Sequence, residues 1–479
     1  MKLYNSLTKK IEKIETLKPG VVTMYNCGPT VYWRMHVGNL RAYAEWDILH
    51  RALLYLGYDV KRVMNFTDVG HMTDDDDFGE DKIEEAASEK GKNPTEIANY
   101  YIRTVIEDFY KMNYLSPNGS VVHPDTDIHE LGKYGWARAT EYIDQIIDFV
   151  KKVEENGFTY ETEQALYFDV TKYDDYGRMF KQDLKDKKVG AREEVEVDPQ
   201  KKNPADFVLW MKKVGKYERH IMAWESPWGV GFPGWHIECS AMSCDILGDK
   251  FDIHTGGIDH IPIHHTNERA QNFGAYKHEV VKYWIHNEFI RTPKGEKLSK
   301  SKGNALTLDE VIEAGIEPMD LRYHYISVNY RVPLQFNWEA LEGSRRSRLS
   351  LIKKISDLGS DGDGGNLLND YVEKFENLLK DNLNMSGVFA LISELLKSDE
   401  KPEDIVQTIL DFDRVLGLNI YGSLKSKEEL PKEVEELLEK REAARKEKDF
   451  EKSDSLRDEI EKHGFKVLDT DDGQKVERI

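Results

Sequence analysis

Cysteine is scarce in this chain: 3 among 479 residues, at Cys27, Cys239 and Cys244. So small and odd a number over such a length speaks against a disulfide framework and suits a reducing compartment, so any cysteine that matters is expected to act as a thiolate ligand or a nucleophile. Long apolar runs are missing too. No stretch of about 18 apolar residues occurs, and the opening Met1-Lys2-Leu3-Tyr4-Asn5-Ser6 is polar. Neither a membrane span nor a signal peptide is therefore expected, and a cytoplasmic location is. Positive charge is in deficit: 67 Lys and Arg stand against 88 Asp and Glu, a formal net charge of -21. Such a chain repels polyanions overall and can touch nucleic acid only where basic residues gather locally.

What is present is ordinary for packed cores, with 39% hydrophobic and 11% aromatic residues, and the length suits two to four domains. Val21 to Tyr25 is a short apolar run. A turn-rich loop, Asn26 to Met35, follows it, and then Trp46, Leu49, Leu53 and Leu56 recur at helical spacing until Gly57. Asp59 to Phe66 reads as a second strand. Residues 21 to 66 thus have the form of one βαβ unit with its binding loop first, which implies a parallel sheet. The pattern returns with Phe251 to His254 as strand, Pro262 to Phe273 as helix and Glu279 to Ile285 as strand, so an α/β domain split by an insertion is expected. The insertion carries an amphipathic helix around Ala139 to Val153 and a strand-like piece at Ala165 to Val170. From about residue 306 the pattern is helical, broken by the Gly- and Asp-rich stretch Asp357 to Gly365.

Basic residues cluster at Arg345, Arg346, Arg348, Lys353 and Lys354, and again between Lys440 and Lys448. These are candidate RNA contacts, though solvated helix faces with paired charges are the commoner outcome. The acidic string Asp74 to Asp77, with Glu80 and Asp81, offers hard oxygens for a divalent cation. Exposed like charges are the preferred reading. The segment Val121 to Gly135 suggests no role.

Two strings point to nucleotide chemistry. The loop Cys27-Gly28-Pro29-Thr30-Val31-Tyr32 leads to His36-Val37-Gly38-Asn39 at a helix start, where unpaired N-H groups and the helix dipole favour phosphate, Gly38 permits close approach, and His36 and Asn39 add side-chain donors. Lys297-Leu298-Ser299-Lys300-Ser301 lies between Gly295 and Gly303, a loop suited to neutralising charge that develops during nucleotidyl transfer. Either string alone is weak. In this order they resemble the HIGH and KMSKS signatures of the class I aminoacyl-tRNA synthetases, with Asn39 in place of the final histidine and Leu298 in place of the methionine.

Trp224 to Gly229, Pro233 to Met242 and His264 to Glu268 resemble the cysteinyl branch of that class, over essentially the whole chain. The resemblance implies one zinc ion per chain held by Cys27, Cys239, His264 and Glu268. Spacing alone would not establish this set, since no close Cys pair exists and a His/Glu pair at i,i+4 is usually a surface contact. Cys27 and Cys239 are expected on loops at the carboxyl edge of the sheet, with His264 and Glu268 on one helical face. A soft thiolate binds zinc where a serine hydroxyl does not, so the metal would select the substrate.

The resemblance further implies ATP with Mg2+ bound by Thr30, Gly38, His254, Gly256, Gly257, Asp259, Leu298 and Lys300. Trp235, Cys27 and Cys239 would contact the amino acid, and His36, Asn39, Lys297 and Lys300 would be catalytic. Core packing is the rival role for Trp235 and His254, and Cys244 is expected to be a buried, inert thiol. The implied partners are cysteine, ATP and tRNA(Cys), with no membrane, in a monomer. The implied organisation is a Rossmann-type catalytic domain in two parts, 1 to 120 and 236 to 305, around a module at 121 to 235. A helical tRNA-binding domain at 306 to 425 and a small anticodon-recognition module at 426 to 479 follow. Two rivals stay open: a related ligase passing cysteine to an amino sugar, which would match only the catalytic half, and a catalytically silent zinc or RNA-binding relative.

Overall fold

The computed structural model describes residues 1 to 70, 81 to 180, 198 to 291, 306 to 425, 432 to 447, 449 to 470 and 473 to 478. A short antiparallel pair, β1 (Lys2–Asn5) and β2 (Lys10–Lys13), opens the chain. β3 (Val21–Asn26), α1 (Val37–Tyr55) and β4 (Asp59–Phe66) then form the βαβ unit that the apolar runs announce, with β3 and β4 parallel. α2 (Lys82–Lys90), α3 (Pro94–Lys111), β5 (Trp136–Arg138) and α4 (Ile143–Glu155) come next. α3 starts where Asn93 and Glu96 cap one another's backbone and Pro94 fills the first helical position.

A separate four-stranded antiparallel sheet is built from β6 (Thr159–Glu161), β7 (Ala165–Phe168), β8 (Phe207–Lys212) and β9 (Gly231–Pro233). The chain returns through α5 (Trp235–Leu247), β10 (Phe251–Gly257), α6 (His264–Tyr276) and β11 (Val281–Asn287). The main sheet is parallel throughout, in the order β11-β10-β3-β4-β5. β5 falls inside the expected inserted module, yet it pairs with β4 through Met64 to Trp136. Three residues are too few to show a strand period, so its place in the sheet was invisible before folding.

β12 (Ile290–Arg291) pairs with β13 (Leu334–Gln335) across α7 (Leu308–Glu313) and α8 (Pro318–Ile326). Helices α9 (Trp338–Ser356), α10 (Asn369–Lys380), α11 (Met385–Leu395) and α12 (Pro402–Leu416) complete a unit spanning Met1 to Ile420. α13 (Ile420–Lys425) begins at its last residue. A second unit, Tyr421 to Ile479, holds α14 (Lys432–Lys446), α15 (Phe450–Lys462) and the hairpin β14 (Phe465–Thr470) and β15 (Gly473–Arg478). Val434, Leu456, Ile460 and Phe465 form its core. Among the described residues no helix is long and apolar enough to cross a membrane.

Buried ion pairs knit the first unit. Asp47 on α1 accepts from Arg51 Nε at 2.8 Å and from Arg322 on α8 at 2.6 Å, while its other oxygen accepts from Leu115 N at 2.8 Å. Arg322 also donates to Leu416 O at the end of α12, and Arg51 to Arg414 O. In the first basic cluster, Arg348 is buried against Asp320 and Glu317, so it holds α9 to α8 rather than facing solvent.

Candidate active site

In an open parallel sheet, ligands bind at the carboxyl ends of the strands where the strand order reverses. Here β3 lies centrally, with β4 and β5 to one side and β10 and β11 to the other, so the reversal falls between β3 and β10. Cys27 follows β3 directly and Gly256 and Gly257 end β10. Both border a cavity of about 290 Å³. Thr30, His36, Gly38, Asn39, Trp235, Cys239, Asp259 and His264 line the same cavity. Residues from four separate stretches of sequence are thus gathered in one place.

The helix start works differently from the sequence expectation. His36 is the N-cap of α1, and its Nδ1 accepts from Gly38 N at 3.0 Å and Asn39 N at 3.3 Å, while Asn39 Oδ1 accepts from His36 N. Two side chains expected to donate to phosphate therefore cap the helix with acceptor atoms. Because Nδ1 accepts, the ring proton sits on Nε2, which is left as the donor. Gly38 is required by that ring, since a Cβ there would lie 2.8 Å from His36 Cε1. Gly28 is required more strictly: its Cβ would fall 1.6 Å from Asn65 O.

Four side chains implied as metal ligands converge. The ligand atoms of Cys27, Cys239, His264 and Glu268 all lie within 4.8 Å of one another, and all four residues are buried. Sγ to Sγ is 3.9 Å, Cys27 Sγ to Glu268 Oε1 is 3.7 Å, and His264 Nε2 to Glu268 Oε1 is 3.0 Å. Tetrahedral zinc, with bonds of about 2.3 Å to sulfur and 2.0 to 2.1 Å to nitrogen or oxygen, requires edges of about 3.8, 3.6 and 3.4 Å respectively. The donor set and its spacing fit. A second close group, Cys27, His254, His265 and Glu268, shares two members. His265 Nε2 does lie 3.3 Å from Cys27 Sγ, but His254 and His265 are fully buried and neither lines the cavity. Of the first set Cys27, Cys239 and His264 line the cavity, against Cys27 alone of the second.

Cys239 sits on α5 rather than on a loop. Gly234 starts that helix tightly against β8, where a Cβ would lie 2.1 Å from Val208 O, and Ile237, Ala241 and Met242 bury its far side. His264 and Glu268 share a face of α6 as expected. His254, expected at the nucleotide, is fully buried and does not line the cavity: its Nε2 bonds Glu268 Oε2 at 2.8 Å and its ring stacks on Trp284, as the rival core role implies.

Sequence reasoning missed several residues that shape the site. Asn65, at the end of β4, accepts from Gly28 N at 2.7 Å and lies 3.9 Å from Cys239 Sγ. His236 Nδ1 meets His264 Nδ1 at 2.8 Å, and His265 Nδ1 meets His286 Nε2 at 2.8 Å. The available signal was that α6 is polar along nearly its whole length, so that burying it requires polar partners from elsewhere in the fold. Lys297, Leu298 and Lys300 lie outside the described residues, as do Asp74 to Asp77, Glu80 and Lys448. Asp81 caps α2 through Ile83 N and bonds His220 Nε2 at 2.8 Å.

The four clustered side chains shift one another's charge. Burial favours a protonated Glu268, but His254 and His264 outweigh it and hold the carboxyl well below its usual range. Burial would lower His264, yet Glu268 and Cys239 raise it to about 10. The hydrogen bond from Cys27 brings Cys239 down to about 6 against the effect of burial, whereas burial pushes Cys27 up. Cys244, by contrast, is pushed up to about 12 by burial, as an inert thiol should be.

The parallel sheet, with a cavity at its carboxyl edge, is that of a class I aminoacyl-tRNA synthetase, as the family match shows. The catalytic-domain family of class I (C) tRNA synthetases matches residues 13 to 346. Solved structures of the class share the fold. Mycobacterium tuberculosis methionyl-tRNA synthetase with methionyl-adenylate aligns at TM-score 0.54 and 14% identity over 83% of this chain and 90% of that one. Agrobacterium radiobacter LeuRS in a ternary complex with tRNA and LeuAMS aligns at 0.56 and 11%, over 87% and 86%.

The cysteinyl-tRNA ligase anticodon-binding domain family matches residues 427 to 476. Cysteine–tRNA ligase of Treponema denticola is 38% identical over 98% of both chains, and that of Finegoldia magna 38% over the full length of both. The chain belongs to the cysteine–tRNA ligase family.

Proposed function

We propose that this chain activates cysteine with ATP and transfers it to tRNA(Cys), and that its selectivity rests on zinc held by Cys27, Cys239, His264 and Glu268. The observation that carries the reading is the four-ligand cluster beside the nucleotide cavity, spaced as tetrahedral zinc requires. A zinc ion bound there supplies a soft Lewis acid that favours the substrate's thiolate over the hydroxyl of serine.

The side chains divide the remaining work. His254 and His236 hold Glu268 and His264 in ligating orientation. Trp235, its ring tilted against that of His264 with centroids 4.5 Å apart, walls the amino-acid end of the cavity. Thr30, Gly256, Gly257 and Asp259 take the nucleotide, with Asp259 accepting from ribose hydroxyls. In activation the cysteine carboxylate attacks the α-phosphate and pyrophosphate leaves; the terminal tRNA hydroxyl then attacks the adenylate carbonyl and AMP leaves. Positioning and charge neutralisation drive the first step, through His36 Nε2–H and through Lys297 and Lys300, with Mg2+ accompanying ATP. The anticodon-binding match at 427 to 476 supports tRNA over an amino sugar as acceptor. The test joins metal analysis to cysteine-dependent pyrophosphate exchange and tRNA charging. One zinc per chain, with exchange and charging both specific for cysteine, is expected; metal-stripped protein that still prefers cysteine to serine would overturn the zinc role.

A further inference from the structure

A surface of aromatic rings and lysines borders the cavity without belonging to it. Trp33 is 43% exposed and Tyr100 49% exposed, and the two rings share one lysine. The exposed Lys90 places its Nζ 6.0 Å from the Trp33 ring, 5.5 Å from Tyr100 and 4.8 Å from Tyr101, whose hydroxyl it also bonds at 2.6 Å. Lys92 Nζ lies 5.7 Å from Tyr100. Gly91, in the left-handed conformation at the end of α2, turns the chain so that both lysines reach the same rings.

We propose that Trp33, Tyr100, Lys90 and Lys92 form a platform for the single-stranded 3′ end of the RNA acceptor. The proposal rests on the reading that tRNA takes the aminoacyl group. Three observations select this occupant. Each exposed ring has a lysine beside it, the pairing that lets a base stack while its phosphate is neutralised. The chain's net charge of -21 makes such local pairing the available route to a polyanion. Trp33 is also three residues from both Thr30 and His36, which line the cavity, a reach of at most about 10 Å. Stacked nucleotides rise about 3.4 Å each, so at most about three of them fit between the platform and the cavity wall.

Two transcripts of tRNA(Cys), intact and lacking the single-stranded 3′ nucleotides, test this with the full chain. Equilibrium binding should weaken about tenfold or more on truncation for the unaltered protein. The double variant Trp33→Ala, Tyr100→Ala should bind both transcripts equally, at the weaker level. Truncation that costs the variant as much as the unaltered protein overturns the proposal, and assigns the rings to a protein contact or to none. Because Trp33 adjoins the His36 loop, Lys90→Glu with Lys92→Glu, both off that loop, must show the same loss of truncation sensitivity, and retained sensitivity there also overturns the proposal. Failure of the unaltered protein to charge or bind intact tRNA would instead refute the function on which the proposal rests.

Discussion

Asp47→Asn tests how the buried charge network holds the first unit together. The carboxylate is 1% exposed and accepts three hydrogen bonds, from Arg51, Arg322 and Leu115. Burial alone would raise its pKa, but Arg51 and Arg322 overcome this and bring it down to about 2. Against an unfolded value of about 3.9, the difference is worth about 2 to 3 kcal/mol near neutrality. The folded pKa is depressed, so this stability is present above about pH 4 and is lost as pH falls toward about 2. Asparagine keeps the shape but leaves Arg322 buried without its counter-charge, which places the cost near neutrality at about 3 to 5 kcal/mol. Denaturant unfolding followed by tryptophan fluorescence reads the shift. The gap between variant and unaltered protein should be largest near pH 7 and shrink by about 1 kcal/mol as the pH is lowered toward about 3, where the aspartate of the unfolded chain is already being protonated. An equal gap at both pH values would refute the assignment of this stability to the carboxylate charge.

Other perturbations address the site directly. Glu268→Gln keeps the bond to His254 possible but removes a ligand charge, so zinc affinity should fall by about 10- to 100-fold or more, read by chelator competition, with cysteine losing its advantage over serine in pyrophosphate exchange. Gly28→Ala forces a Cβ into Asn65 O and displaces the neighbouring Cys27; exchange activity should drop at least about 100-fold, and activity near that of the unaltered protein would show that the loop yields freely. Lys300→Ala should retain cysteine binding while adenylate formation falls by about 100-fold or more, measured by single-turnover exchange.

The βαβ unit at 21 to 66 was legible because its strands are buried apolar runs and its helix repeats at 3.6 residues. Three-residue β5 left no such trace. The metal ligands were legible only through whole matching strings, for Cys27 and Cys239 are 212 positions apart and nothing local links them. Apolar periodicity fixes which face of an element is buried, but not which polar groups meet across a fold. For that reason the bond from His254 to Glu268 was not foreseen, and Cys239 was placed on a loop when its helix is buried on nearly every side. His36 and Asn39 show the same limit: their identity marks a helix start, but only geometry shows that they spend acceptor atoms there.

α1 runs for 19 residues, about 28 Å, from the His36 cap at the cavity to the anchor where Arg51 grips the backbone end of α12. It is a strut with one foot at the cavity and the other against the last helices of the first unit. Loosening the far footing, by a change at Arg414 or Leu416 that moves those carbonyls, would reach the cavity without altering any residue that lines it.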